Sequence, residues 1–218
     1  MKKTLAFAAL FLLLTVGASA QLSFHGYLRT STGVDGIGQW NDDFRITWWV
    51  TQQSDDSWFY RYKLTDNNNH ALRKAVSHWQ VEISPNSTRS DFWGFGGKWG
   101  FTDETHNGIP FAHSLKLDYG RDGQTEWSFY SIKAPTWGDF YAKGGSTGGP
   151  HGEMMYAWNT GFYDDDPMND VCNGAIGNKI LRPDTSPEVI PGAVPEPGTL
   201  ILIGLGLMGL ASRKLRKK

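Results

Sequence analysis

Cysteine is almost absent from this chain of 218 residues, which contains a single one, Cys172. An intramolecular disulfide is therefore excluded, and the fold must be held together by packing or in part by a metal. A lone cysteine can also pair between chains. Because isolated cysteines are among the most frequently buried residues, we expect Cys172 to lie in the interior.

Helical periodicity and catalytic motifs are missing as well. Outside the two ends, no window repeats its apolar residues every 3.6 positions. The chain has no Gly-x-Ser-x-Gly, its six histidines lack metal-binding spacing, and the glycine-rich segment 144–149 lacks the end of a phosphate loop. A pair of converging carboxylates, as a glycosidase needs, is not excluded by the sequence. Glu82, Glu126 and Glu153 lie on or near predicted strands, and the fold could bring two of them together. We expect a non-catalytic protein without a cofactor.

Positive charge is scarce between the ends of the chain. The whole sequence has 21 basic and 22 acidic residues, but seven basic residues and one acidic residue belong to the end segments. The exported part between them, residues 21–193 with the linker included, carries 14 basic against 21 acidic residues, a net charge near −7. Nucleic acids and anionic membrane surfaces attract positive fields, so we expect neither as a partner of this domain.

Aromatic residues and glycine are abundant, with ten Trp, twelve Phe, eight Tyr and 26 Gly. Aromatic side chains suit pleated sheets, and residues 44–51 and 58–65 alternate apolar with polar side chains as strands do. Residues 32–41 are predicted to form a loop. The strongest hairpin signal joins 115–119 to 125–133 through Asp122-Gly123, since Asp-Gly supplies the positive φ angles of tight turns.

Seven or eight short strands separated by turns predict an all-β fold. The architecture that we expect is a two-sheet β-sandwich, jelly-roll-like, over residues 21–182, with a small β-barrel as the alternative. A Pro-rich linker is predicted at 183–193.

The N-terminus has the features of a signal peptide over residues 1–20. Lys2 and Lys3 precede an apolar segment at 5–16, and Ala18 and Ala20 have the small-x-small form of a signal peptidase site. We therefore expect export, with the mature chain beginning at Gln21.

The C-terminus, 194–218, combines Pro195-Glu196-Pro197, an apolar run over 200–211 and five Lys/Arg residues from Arg213 onward. The apolar run is predicted to form a hydrophobic sorting helix that crosses the inner membrane transiently, while the basic cluster stays on the cytoplasmic side. This pattern resembles the PEP-CTERM sorting signal of exported bacterial proteins. The resemblance implies an exosortase that recognises Pro195, Glu196 and Pro197 and removes the tail. It also implies a location at the cell surface or in the extracellular matrix, near exopolysaccharide.

Two kinds of binding residue follow from composition. Ten Trp exceed what one small core needs, so some should be exposed and able to stack on sugar rings; the candidates are Trp49, Trp93 and Trp99. An acidic run is a weak Ca²⁺ candidate without EF-hand spacing, with a solvated loop as the alternative. Its four acids are Asp164, Asp165, Asp166 and Asp170.

Three functions remain open at this point. The leading interpretation is an exported, surface-sorted, non-catalytic protein with a structural or matrix-associated role beside exopolysaccharide. The alternatives are a carbohydrate-binding module that uses exposed Trp and a secreted glycoside hydrolase.

The sorting signal generates the first testable prediction. Replacing Pro195, Glu196 and Pro197 with Ala should leave a membrane-held precursor, because the exosortase would lose its recognition site. Fractionation and mass spectrometry check this: the unaltered extracellular protein should yield no peptide from Leu200 onward. Recovery of Lys218 on that mature protein would contradict the prediction.

Overall fold

The computed structural model describes residues 21–103, 113–118, 125–146 and 153–184. The predicted signal peptide, the sorting signal and the linker beyond Asp184 lie outside these residues. Within the described ranges, no helix is long and apolar enough to cross a membrane. The described strands are β1 (Ser23–Arg29), β2 (Val34–Ile37), β3 (Arg45–Gln52), β4 (Trp58–Thr65), β5 (Val76–Glu82), β6 (Phe92–Trp93), β7 (Lys98–Thr102), β8 (Ser114–Asp118), β9 (Glu126–Ser131), β10 (Pro135–Gly138), β11 (Phe140–Ser146), β12 (Met154–Asn159) and β13 (Ile180–Pro183).

These strands form two large sheets, and every named strand pair is antiparallel. The five-stranded sheet has the order β1-β3-β4-β9-β6, and the six-stranded sheet has the order β2-β12-β11-β5-β8-β7. Strands β10 and β13 form a separate two-stranded sheet. The all-β prediction is confirmed, and the two large sheets are consistent with a sandwich. The jelly-roll-like connectivity stays a prediction.

Alternation of side chains produces the core. In β4, Tyr60, Tyr62 and Leu64 are fully buried, while the residues between them are half-buried on the opposite face. Rings from the two large sheets meet in the interior: the centroid of Tyr62 lies 4.8 Å from that of Trp79, and Trp79 lies 6.0 Å from Trp127. Burying one such side chain contributes about 1.5–3 kcal/mol.

The predicted hairpin between 115–119 and 125–133 is wrong. Strand β8 pairs with β5 and β7 in the six-stranded sheet, whereas β9 pairs with β4 and β6 in the five-stranded sheet. Each strand buries its own apolar face, Leu115 and Leu117 in β8, Trp127 and Phe129 in β9. A turn signal is local and does not distinguish a hairpin within one sheet from a connection between two sheets.

Two further predictions are corrected. The expected loop 32–41 contains β2, which pairs with β12. A Cβ on Gly36 in this strand would lie 2.4 Å from the carbonyl oxygen of Trp40, so the tight approach requires glycine.

Cys172 is exposed rather than buried. It lies in a loop whose backbone pairs with the edge of β1, since the N–H of Gly174 donates to the carbonyl of His25 at 2.8 Å.

Tyr62 provides a test of how the two-stranded sheet is attached. Its buried hydroxyl donates to the carbonyl oxygen of Leu181 in β13 at 2.8 Å. Tyr62→Phe removes this bond and should lower the free energy of unfolding by about 1–3 kcal/mol, measured by urea denaturation. Tyr27→Phe is the control, because Tyr27 is 48% exposed. Equal stability of the two variants would contradict an anchoring role for this bond.

Candidate functional sites: an aromatic sheet face and a buried charge cluster

The outer face of the five-stranded sheet carries five aromatic rings that do not belong to the buried core. Because side chains alternate along each strand, the residues between the core positions of β1, β3, β4 and β9 point outward together. We call this surface the aromatic face. Its rings are those of Tyr27, Trp49, Phe59, Trp93 and Tyr130.

Trp93 is the most accessible Trp and lies at one edge of the aromatic face. Its side chain is 40% exposed and stacks on Tyr130, with a centroid distance of 6.0 Å and an interplanar angle of 13°. Tyr130 in turn packs 4.9 Å from Phe59. Gly94 has a φ of 75°, and a Cβ there would lie 2.7 Å from the Tyr130 ring, so glycine permits this turn. The three rings form a supported shelf.

Trp49 lies on the same face, two strands away from Tyr130. The guanidinium of Arg61 lies 4.6 Å from the centre of the Trp49 ring, within the range of a cation–π interaction. Arg61 also forms a bidentate pair with Glu126, at 2.7 and 2.8 Å. These contacts fix the ring and the charge beside each other.

Trp99 does not join the other two candidates. It lies opposite Leu117 in the six-stranded sheet, is half-buried and packs against the core. Its ring stacks on Phe95 at 4.1 Å and lies 4.4 Å from the guanidinium of Arg89. Six of the ten Trp are fully inside the core: Trp40, Trp48, Trp58, Trp79, Trp127 and Trp137. The expected excess of Trp is thus real but smaller than the count suggests.

A second candidate site is a cluster of buried charged side chains that no sequence motif predicted. Carboxylate oxygens of Glu82, Asp139 and Asp166 lie within 4.8 Å of one another. Lys179 Nζ lies 2.9 Å from Asp139 and 3.1 Å from Asp166. Arg182 contacts Glu82 at 3.2 Å and Asp166 at 2.9 Å. Two cations from the protein therefore occupy the space between the carboxylates that a metal ion would need.

This charge cluster has three acids and two bases, so one negative charge is in excess. Burial raises the pKa of Glu82 and the pKa of Asp139. Burial alone would lower the pKa of Lys179, but its bonds to Asp139 and Asp166 outweigh this and raise it. The carboxyl groups, not the cations, are therefore the members that take up protons when the pH falls.

The acidic run is divided by the fold. Asp164, Asp165 and Asp170 are exposed, whereas Asp166 points inward to Lys179 and Arg182. The four candidate Ca²⁺ ligands are therefore not brought together, although Asp166 does meet two other acids. Calcium binding stays a prediction that this arrangement does not favour.

The three acids considered for hydrolysis are also separated. Glu82 belongs to the charge cluster, Glu126 pairs with Arg61 on the aromatic face, and Glu153 is exposed. A cleft of about 290 Å³ adjoins the charge cluster; its charged lining residues are Asp166, Asp170, Arg182 and Asp184, and Glu82 and Asp139 do not line it. Glu82, Glu126 and Glu153 therefore do not provide the pair of carboxylates facing one cleft that glycoside hydrolysis needs.

Comparison with known proteins gives one result for the C-terminal end and none for the rest of the chain. The model of the PEP-CTERM protein-sorting motif matches residues 193–217. The chain is therefore an exported protein whose membrane-anchored precursor is processed by an exosortase for surface or extracellular localisation. No curated protein and no solved structure matches it.

Lys179 tests the charge cluster, because its side chain is only 1% exposed. Lys179→Met leaves three carboxylates with one cation and should lower the free energy of unfolding by about 3–5 kcal/mol at neutral pH. Without Lys179, the pKa of Asp139 in the folded state rises further, because burial is no longer offset by that cation. Protonation of Asp139 then favours the folded state, and the deficit should shrink as the pH falls through this raised pKa.

Thermal or urea unfolding at pH 7.5 and pH 5 measures this deficit. Lys98→Met is the matched control, since Lys98 is exposed, and it should change stability by no more than about 0.5 kcal/mol. A deficit that does not depend on pH would contradict the assignment of the carboxyl groups as the titrating members.

Proposed function

We propose that this exported protein is a non-catalytic, glycan-contacting protein of the cell surface or extracellular matrix, and that the aromatic face is its contact surface. The observation that carries the proposal is the shelf of Trp93, Tyr130 and Phe59, with Trp49 on the same face. Contiguous exposed aromatic surface is uncommon on proteins that bind nothing. A flat ring with its back packed on another ring is a suitable platform for a sugar.

Several features support a platform rather than an enclosed site. A sheet face is nearly flat, and its rings are spaced by the strands that carry them, about 4.8 Å apart across the sheet. Flat surfaces suit extended polymers better than small molecules, which require concave pockets. The exported destination supports a polysaccharide outside the cell, such as exopolysaccharide, as the polymer.

A non-catalytic role is supported by the use of the acidic residues. The three acids of the charge cluster are engaged by Lys179 and Arg182, and Glu126 is engaged by Arg61. Acids held in this way maintain the fold. The aromatic face itself carries a single carboxylate at its outward strand positions, that of Glu126, so it lacks the pair that glycoside hydrolysis needs.

Trp93 provides the test. We expect Trp93→Ala to weaken glycan binding by about 1–3 kcal/mol, by analogy with aromatic stacking on bases, while the melting temperature changes little. A glycan array identifies the ligands, and titration with the chain from Gln21 to Lys218 in detergent measures the affinity. Tyr163→Ala is the matched control, since Tyr163 is an exposed aromatic residue away from the aromatic face.

Two outcomes would contradict the proposal. The first is an array without any ligand for the unaltered protein. The second is a fall of many degrees in the melting temperature of Trp93→Ala, which would place this ring among the residues that hold the fold.

A further inference from the structure

The aromatic face is also the place where positive charge gathers on an acidic domain. At its outward strand positions lie four cations and one acid, whereas the domain as a whole has a net charge near −7. The cations are Arg29, Arg45, Arg61 and Lys63, and the acid is Glu126. Of these, only Arg61 is bound to Glu126 by an ion pair.

Two of these cations directly oppose each other. Arg29 in β1 and Arg45 in β3 are partners in the antiparallel ladder. Like charges in directly opposite positions destabilise a sheet. Neither guanidinium forms an ion pair with any residue in the described parts of the chain, and the Nε of Arg29 is buried without a hydrogen-bond partner. The pair therefore lacks the counter-charge that would offset its repulsion.

The neighbouring side chains hold Arg45 of this pair in place for a ligand. The guanidinium of Arg45 lies 4.1 Å from the centre of the exposed Tyr27 ring, and its Nε donates to Thr47 at 3.1 Å. Lys63 lies one row further, across from Thr47. Arg45 is thus oriented by a ring and a hydroxyl, which leaves its other N–H groups for an acceptor from outside. Planar guanidinium groups suit bidentate binding of carboxylates.

We infer that the aromatic face binds an acidic polysaccharide, with Arg29, Arg45 and Lys63 forming the site for its carboxylate groups. The inference rests on the proposed glycan contact and specifies the class of glycan. The distance along the strands from the row of Trp93 to that of Arg45 is about 20 Å, at about 3.4 Å per residue. One extended polymer can therefore contact the ring shelf and the arginine pair together.

Polygalacturonate and its fully methyl-esterified form provide a matched pair of probes, because they share a backbone and differ in charge. We expect the chain from Gln21 to Lys218 in detergent to bind polygalacturonate more tightly, with an affinity that falls as salt rises. Arg29→Gln combined with Arg45→Gln should weaken this binding at least about tenfold, since hydrogen bonds between charged groups are stronger than neutral ones. Binding of the methyl ester should not change.

The control is Arg73→Gln combined with Arg89→Gln, which removes the same charge from exposed positions off the aromatic face and should change affinity less than about twofold. Because the opposed arginines repel each other, the Arg29/Arg45 variant should melt at the same temperature as the parent or higher. Lys63→Gln is a second variant that tests the same site if the double variant does not fold, and it should weaken polygalacturonate binding alone.

Four results would overturn the inference. Equal binding of polygalacturonate and its methyl ester would show that the ligand need not be acidic, and the proposed glycan contact would still stand. Equal losses of affinity in the Arg29/Arg45 variant and in its control would show that binding depends on net charge and not on the arginine pair. If double-stranded DNA bound as tightly as polygalacturonate, the site would recognise any polyanion and would not be specific for a glycan. Binding of neither polymer, together with an array without ligands, would remove the proposed function itself.

Discussion

Contact between aromatic rings of the two large sheets is the interaction on which the rest of the structure depends. A chain with one exposed cysteine has no internal disulfide, so packing must hold its sheets together. The rings of Tyr62, Trp79, Trp127 and Phe129 meet within about 6 Å of one another in neighbouring pairs. Because one side of β3, β4 and β9 packs into this core, the side chains that alternate with the core positions point outward, and the remaining rings are among them. The aromatic face is a geometric consequence of the core.

The buried charge cluster serves the same architecture at the short strand β13. Strand β13 has only four residues and would be marginal alone, but Lys179 precedes it and Arg182 lies within it. Each cation bonds to an acid contributed by another segment. Such ion pairs add little net stability compared with apolar packing, but removing one partner is costly. The cluster therefore specifies where the last described strand docks, shortly before the sorting signal.

Local patterns predicted the parts of this fold that local physics determines. The strands β3 and β4 were found from alternation alone, and export was found from the ends. The hairpin failed because pairing depends on which sheet buries Leu117 and Trp127, and β2 and β13 were missed because four residues give too short a pattern. For the candidate site, the Trp count led to three candidates: Trp49 and Trp93 lie on the aromatic face, whereas Trp99 packs against the core. The pairing of Arg29 with Arg45 was not predictable, since it depends on strand register.

Charge distribution constrains how a polymer can lie on this protein. The outward strand positions of the aromatic face hold four of the 14 basic residues and one of the 21 acidic residues of the exported domain. The remainder therefore has ten basic against 20 acidic residues, and it repels a polyanion more strongly than the average suggests. In the complex that we infer, an acidic polymer is attracted to the aromatic face and repelled by the acidic remainder. In the binding mode that we infer, the polymer lies across this one face of the sheet, and each molecule of the protein contacts one polymer segment.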